Sequence, residues 1–101
     1  MNIHQFIREK VPKEEMLALL AEEATELAHA ALKLRRVYDG KNPTPVTHEE
    51  AFENLKEEIA DVRLIIDVLG MDKNHMERCM MQSSKLKRWV QRLEEANHDT
   101  R

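Results

Sequence analysis

Two octets decide the fold: Leu20-Ala-Glu-Glu-Ala-Thr-Glu-Leu27 and Leu55-Lys-Glu-Glu-Ile-Ala-Asp-Val62. Laid over one another at a constant offset of 35 residues, their acidic and apolar positions coincide. Outward from each octet runs an apolar seam, Leu20, Ala24, Leu27, Ala31 and Leu34 in the first copy and Leu55, Ile59, Val62, Ile66 and Leu69 in the second. Each seam steps by four and three residues in turn, which keeps it on one face of an α-helix. Two matching helices, each with a face to bury, predict an antiparallel αα-hairpin of approximate two-fold symmetry. A unit of this length occurring only twice does not make a solenoid.

Punctuation around the octets sets the boundaries. Residues 1–12 form an N-terminal segment in which Ile3, Phe6 and Ile7 share one side of a short helix, interrupted at Pro12. Such a segment suits a lid or a partner contact. The first long helix spans 13–38, with acidic residues early and Lys33, Arg35 and Arg36 in its last turns, as the helix dipole prefers. Asp39-Gly40 ends it, and residues 39–46, with two prolines in Lys41 to Val46, form a loop. Thr47-His-Glu-Glu50 is a capping-box pattern that opens a second long helix, 47–69, stopped by Gly70. Asp72 is the expected N-cap of a third, 72–96, carrying Met76, Met80, Leu86, Trp89, Val90 and Leu93 before a polar tail at 97–101.

Composition agrees with an all-α fold: 101 residues, 42% hydrophobic and 35% charged, with two glycines and three prolines. A single domain of this size has a modest core, and oligomerisation to a homodimer or homotetramer is expected to complete it, because three helices leave Met80, Met81 and Trp89 poorly covered. A formal charge of −3 with both signs interspersed offers no basic field for a nucleic-acid polymer. The lone Cys79 has no partner for an intramolecular disulfide, and no apolar run reaches the roughly 20 residues that cross a bilayer. The N-terminus lacks the apolar stretch of a signal peptide, so a cytoplasmic location is the expectation.

Chemistry concentrates in four carboxylates. At about 100° per residue, Glu23 lies roughly 60° to one side of Leu20 and Glu26 roughly 60° further round. Glu58 and Asp61 repeat that phase beside Leu55. An antiparallel hairpin brings the two pairs to one level at the edge of the seams. Four carboxylates there repel one another and raise their own pKa values unless a cation compensates them. An all-oxygen set, with no Cys/His group at zinc spacing, selects Mg²⁺, with Mn²⁺ as a possible substitute. Mg²⁺ keeps several waters and is commonly completed by substrate phosphates.

Glu22-Glu23-x-x-Glu26 followed by Glu58-x-x-Asp61 resembles the EExxE…ExxD signature of the MazG-like, all-α nucleoside triphosphate pyrophosphohydrolases, and the resemblance covers roughly residues 17–93. It implies that Mg²⁺ held by Glu23, Glu26, Glu58 and Asp61 activates a water for attack on the α-phosphorus, releasing pyrophosphate and a nucleoside monophosphate. Glu22 takes a second-sphere or base-like part in that scheme. Two departures stand out. The gap between Glu26 and Glu58 is longer than usual for MazG proteins, through the Lys41–Glu50 stretch. The third helix reads Lys85-Leu-Lys-Arg88-Trp89-Val-Gln-Arg92, where many relatives place a lysine, an asparagine and an arginine; the asparagine is absent and Trp89 stands near its place. Lys85, Arg88, Arg92 and Trp89 are the candidate substrate-binding residues.

Each candidate has a plainer counterpart. Paired acidic residues commonly form surface ion pairs, and Lys85, Lys87, Arg88 and Arg92 could equally be a solvated helix face. Trp89, Phe6 and Tyr38 suit a core or subunit interface as well as a stacking platform. Cys79, in the methionine-rich Met76 to Met81 stretch, is expected in the core, and His4, His48, His75 and His98 are expected as surface or capping residues. Glu26-Leu-Ala-His29 is a single E-x-x-H where a di-iron redox bundle needs two. The main rival to an enzyme is a non-catalytic helical oligomerisation module whose acidic seam binds a partner or a regulatory cation.

Overall fold

The structure, a computed structural model, describes residues 1–40 and 46–99. Among the described residues there are four helices and no strand: α1, Ile3–Lys10; α2, Lys13–Asp39; α3, His48–Leu69; and α4, His75–Asp99. The chain divides into two compact units, residues 1–71 and 72–101. The proline-bearing stretch 41–45 of the expected loop lies outside the described residues.

The ends of these helices follow from short-range chemistry. Asn2 caps α1, its side chain accepting from the Gln5 N–H at 3.0 Å. Pro12, lacking an N–H, separates α1 from α2. α2 ends at Gly40 and α3 at Gly70, both left-handed, with φ of 71° and 70°. The N–H of each glycine turns back onto carbonyls of the last turn. The Thr47 hydroxyl accepts from the Glu50 N–H at 3.1 Å, as the capping-box pattern predicts. The start of α4 differs from expectation. Asn74, not Asp72, caps it, accepting from the Glu77 N–H at 3.0 Å, while Asp72 faces Arg78 at 3.6 Å. The last helix therefore begins three residues later than expected and continues through Asp99.

In the first unit α2 and α3 pack as an antiparallel pair. Met16, near the start of α2, is buried with Val68 and Leu69 at the end of α3, and Ile7, Val11, Leu20 and Ile65 pack around them. α1 closes this end of the hairpin, where the Arg8 guanidinium donates to the Val68 carbonyl at 2.9 Å. That carbonyl belongs to the final turn of α3 and has no partner within the helix. At the other end Ala30, Leu34 and Ala51 are buried. There His48 bridges the two helices. Its Nε2 lies 2.8 Å from the Tyr38 hydroxyl, and its ring stacks on Phe52 at 5.8 Å.

On α2 the buried stripe is rotated from the expected one, whereas on α3 the expected Leu55, Ile59, Val62, Ile66 and Leu69 are all at least half-buried. Ala24 and Ala31 are exposed, and the line that faces α3 runs Met16, Leu20, Glu23, Leu27, Ala30, Leu34. On α3 the counterparts are Ala51, Leu55, Glu58, Val62, Ile65 and Leu69, again 35 residues away one by one. A stripe chosen by hydrophobicity passes over glutamates, whereas the packing includes them.

In the second unit, every large apolar side chain of α4 is exposed, Met76, Met80, Met81, Leu86, Trp89, Val90 and Leu93 alike. Cys79 is exposed as well, with its sulfur 3.5 Å from the His75 Nε2, so the expected core position for it is not found. The reason is that α4 carries its apolar residues on a helix whose own unit contains no second element to bury them.

Candidate metal centre

Glu23 sits seven residues from Met16 and seven from Ala30, and Glu58 seven from Ala51 and seven from Ile65. Nearer still, Leu20 and Leu27 flank Glu23 and Leu55 and Val62 flank Glu58, about one helical turn away on either side. Both residues are half-buried in the middle of their stripes, while Glu26 and Asp61, three residues further on, are exposed. The expectation that all four stand at the edge of the seams therefore holds for one pair and not for the other.

Carboxylate oxygens of Glu23, Glu26 and Glu58 all lie within 4.8 Å of one another. Asp61 falls outside that tight group, although its charge acts on both Glu23 and Glu58. One oxygen of Glu23 and one of Glu58, Oε2 in each case, are shielded from solvent and have no hydrogen-bond partner. A shielded acceptor without a partner is uncommon in folded proteins and calls for a compensating group.

Electrostatics point the same way. Burial raises the Glu23 carboxyl above its ordinary value, and the neighbouring charges of Glu26, Asp61 and Glu58 raise it further. Burial likewise raises Glu58, followed by Glu26, Asp61 and the adjacent Glu57. A contact with the Glu26 carboxyl adds to the rise at both. Positive charge placed among these groups would oppose that rise.

The donor set fits a hard divalent cation. It is all oxygen, with three carboxylates converging and a fourth nearby, and the two orphaned oxygens are the atoms that a cation would satisfy. Glu22 is exposed on α2 and is not part of the converging group. Its counterpart by the 35-residue offset is Glu57, which the sequence analysis did not single out although Glu57-Glu58 repeats Glu22-Glu23. Lys85, Arg88, Trp89 and Arg92 all line one shallow surface of α4, together with Gln82 and Leu86. These four expected substrate-binding residues therefore share a face of the second unit.

No protein-family model, no curated protein and no solved structure matches this chain. Among the described residues no helix is long and apolar enough to cross a membrane.

Proposed function

We propose that the protein is a Mg²⁺-dependent nucleotide pyrophosphohydrolase that cleaves nucleoside triphosphates to the monophosphate and pyrophosphate. The observation that carries this proposal is the convergence of Glu23, Glu26 and Glu58 within 4.8 Å, with two of their oxygens shielded and unpartnered. The MazG-like signature supplies the reaction class, and the carboxylates supply a reason for the signature.

Glu23, Glu26 and Glu58 would hold the ion, with Asp61 as the fourth carboxylate beside them. When bound, the ion supplies Lewis-acid chemistry: it polarises phosphoryl oxygens and makes a water more acidic. The chain's own residues then have separate tasks. The apolar packing on either side of Glu23 and Glu58 keeps bulk water from those two side chains and fixes their direction. Glu26 and Asp61 are exposed, so a phosphate chain could reach their carboxylates. Lys85, Arg88 and Arg92 offer cationic donors suited to phosphate oxygens, the guanidiniums in bidentate fashion. Assembly as a homodimer or homotetramer belongs to the same proposal.

The test is pyrophosphate release from a panel of nucleoside triphosphates with Mg²⁺ and with Mn²⁺. Glu58→Gln and Asp61→Asn are expected to lower turnover at least about 100-fold, the scale on which a lost charge-stabilising group acts, with helix content unchanged. Full turnover by either variant would refute its assignment as a ligand. No release from any nucleotide would favour the rival, a non-catalytic helical module in which the same carboxylates bind a regulatory cation.

A further inference from the structure

Pro12 breaks the chain between α1 and α2, and beside the break lies a small hollow. Arg8 and Val11 at the end of α1, Lys13 and Met16 at the start of α2 and Leu69 at the end of α3 line a cavity of about 70 Å³. Its deeper lining is apolar, since Met16 and Leu69 are 3 and 8% exposed. Two cations stand over that lining, and none of the five residues is acidic. Arg8 is half-buried, and neither Arg8 nor Lys13 has an ion-pair partner among the described residues. A guanidinium carries five N–H donors, and a cation partly withdrawn from water is ordinarily paired. The Val68 carbonyl, 2.9 Å from Arg8 Nη1, occupies one donor and supplies no counter-charge.

We propose that this cavity binds a small tetrahedral oxyanion of the class of inorganic phosphate or sulfate, held between Arg8 and Lys13. Size selects the ligand first. A water-sized group takes at least about 10–15 Å³ of such space, so 70 Å³ holds roughly five of them, as many as phosphate has non-hydrogen atoms. Pyrophosphate and nucleotides exceed it. Charge comes next, because two unpaired cations match a dianion. Shape decides between oxyanions. Arg8 and Lys13 belong to different helices on either side of Pro12, and a tetrahedral ion offers oxygens to both at once, to the guanidinium in bidentate fashion. A carboxylate presents its two oxygens along a single edge.

The anion ties α1 to α2 beside the bond that Arg8 makes to α3, so its binding steadies the N-terminal helix on the hairpin. None of the carboxylates takes part, nor do Lys85, Arg88 and Arg92, which the proposed function assigns to substrate phosphates. Glu58→Gln, which removes pyrophosphate release under the proposed function, leaves the dissociation constant of the anion unchanged. The two proposals therefore fail separately.

The experiment is a titration of the isotope-labelled full chain with sodium phosphate, at constant ionic strength and with chelator present, followed by magnetic resonance. The Arg8 Nε–H and the amides of Val11 and Lys13 are expected to shift together along one saturable curve. Sulfate should move the same signals, and acetate and chloride should not. Lys13 is exposed, so Lys13→Gln leaves the apolar lining in place; it should weaken binding about tenfold, and Lys13→Arg should return it to within about threefold of wild type. Phosphate and sulfate stabilise most proteins by exclusion from the surface, so both chains should melt higher in sulfate, wild type by the larger margin. Shifts that stay linear to the highest concentration, shifts confined to Lys85, Arg88 and Arg92, an equal response to acetate, or a Lys13→Gln chain that binds as tightly as wild type would each overturn the proposal.

Discussion

Glu23 of α2 and Glu58 of α3 are counterparts 35 residues apart, each in the buried stripe of its own helix and each with Oε2 shielded and unpartnered. Apolar residues at these two places would pack more favourably for folding alone. Two acids in the middle of a helix interface weaken the metal-free hairpin, and under the proposed function a bound cation would offset that weakness.

The first consequence is a pH dependence in the metal-free protein. Both carboxyls are raised from an ordinary 4.5, so the folded state keeps protons that the unfolded chain has released. Where the folded state binds more protons, stability falls as pH rises, from the unfolded pKa up to the folded one, and the loss persists above it. With chelator present, Glu23→Gln and Glu58→Gln should therefore gain thermal stability relative to wild type as pH rises above about 4.5, the ordinary value. Melting curves across this window that run parallel for wild type and both variants would contradict the proposed burial.

A divalent ion should reverse that weakness. Titration with Mg²⁺ or Mn²⁺ at constant ionic strength should raise the melting temperature, with a gain of about 2.7 kcal/mol when the ion reaches one hundred times its dissociation constant. Glu58→Gln should lose most of that gain, and a matched concentration of monovalent salt should not supply it. An equal shift by Mg²⁺ in wild type and variant would mean that the ion binds elsewhere.

The rotated stripe makes opposite predictions for two neighbouring alanines. Ala30 is 3% exposed, and Ala30→Gln should cost about 1–3 kcal/mol in urea unfolding through overpacking and a buried amide. Ala24 is exposed, and Ala24→Gln should stay within about 0.5 kcal/mol of wild type. A seam through Ala24 requires the reverse order.

At the start of α4, Asn74→Ala should cost about 1 kcal/mol of local helix stability, the usual worth of a cap. Asp72→Ala should cost less, since it removes only an exposed ion pair at 3.6 Å. Amide exchange at Glu77 resolves the two: the N–H that Asn74 now holds should exchange about fivefold faster in the first variant, and less so in the second.

These comparisons show which features are legible in the residues themselves. Helix count, the hairpin and the stops at Gly40 and Gly70 follow from periodicity and local backbone chemistry, which act within a few residues. The convergence of Glu23, Glu26 and Glu58 was also readable, because the offset of 35 constrains both helices at once. On α2 the buried stripe lies one position from the apolar seam because hydrophobicity ranks Ala24 above Glu23, whereas on α3 the apolar seam is itself half-buried or buried throughout. The bridge from Tyr38 through His48 to Phe52 left no trace, since it depends on how residues 38 and 48 meet across a loop. Asp72 and Asn74 both suit a cap, and only backbone geometry chooses between them.

The hairpin's two ends are fastened differently. At one end chain connectivity itself holds α2 and α3 together. At the other, the bond from Arg8 to the Val68 carbonyl acts as a buckle, drawn tight by a helix of only eight residues. A short element released from that carbonyl frees the mouth of the hairpin while leaving its base intact, so wear, cleavage or crowding at the first few residues would be felt at Met16 and Leu69 long before it reached Ala51.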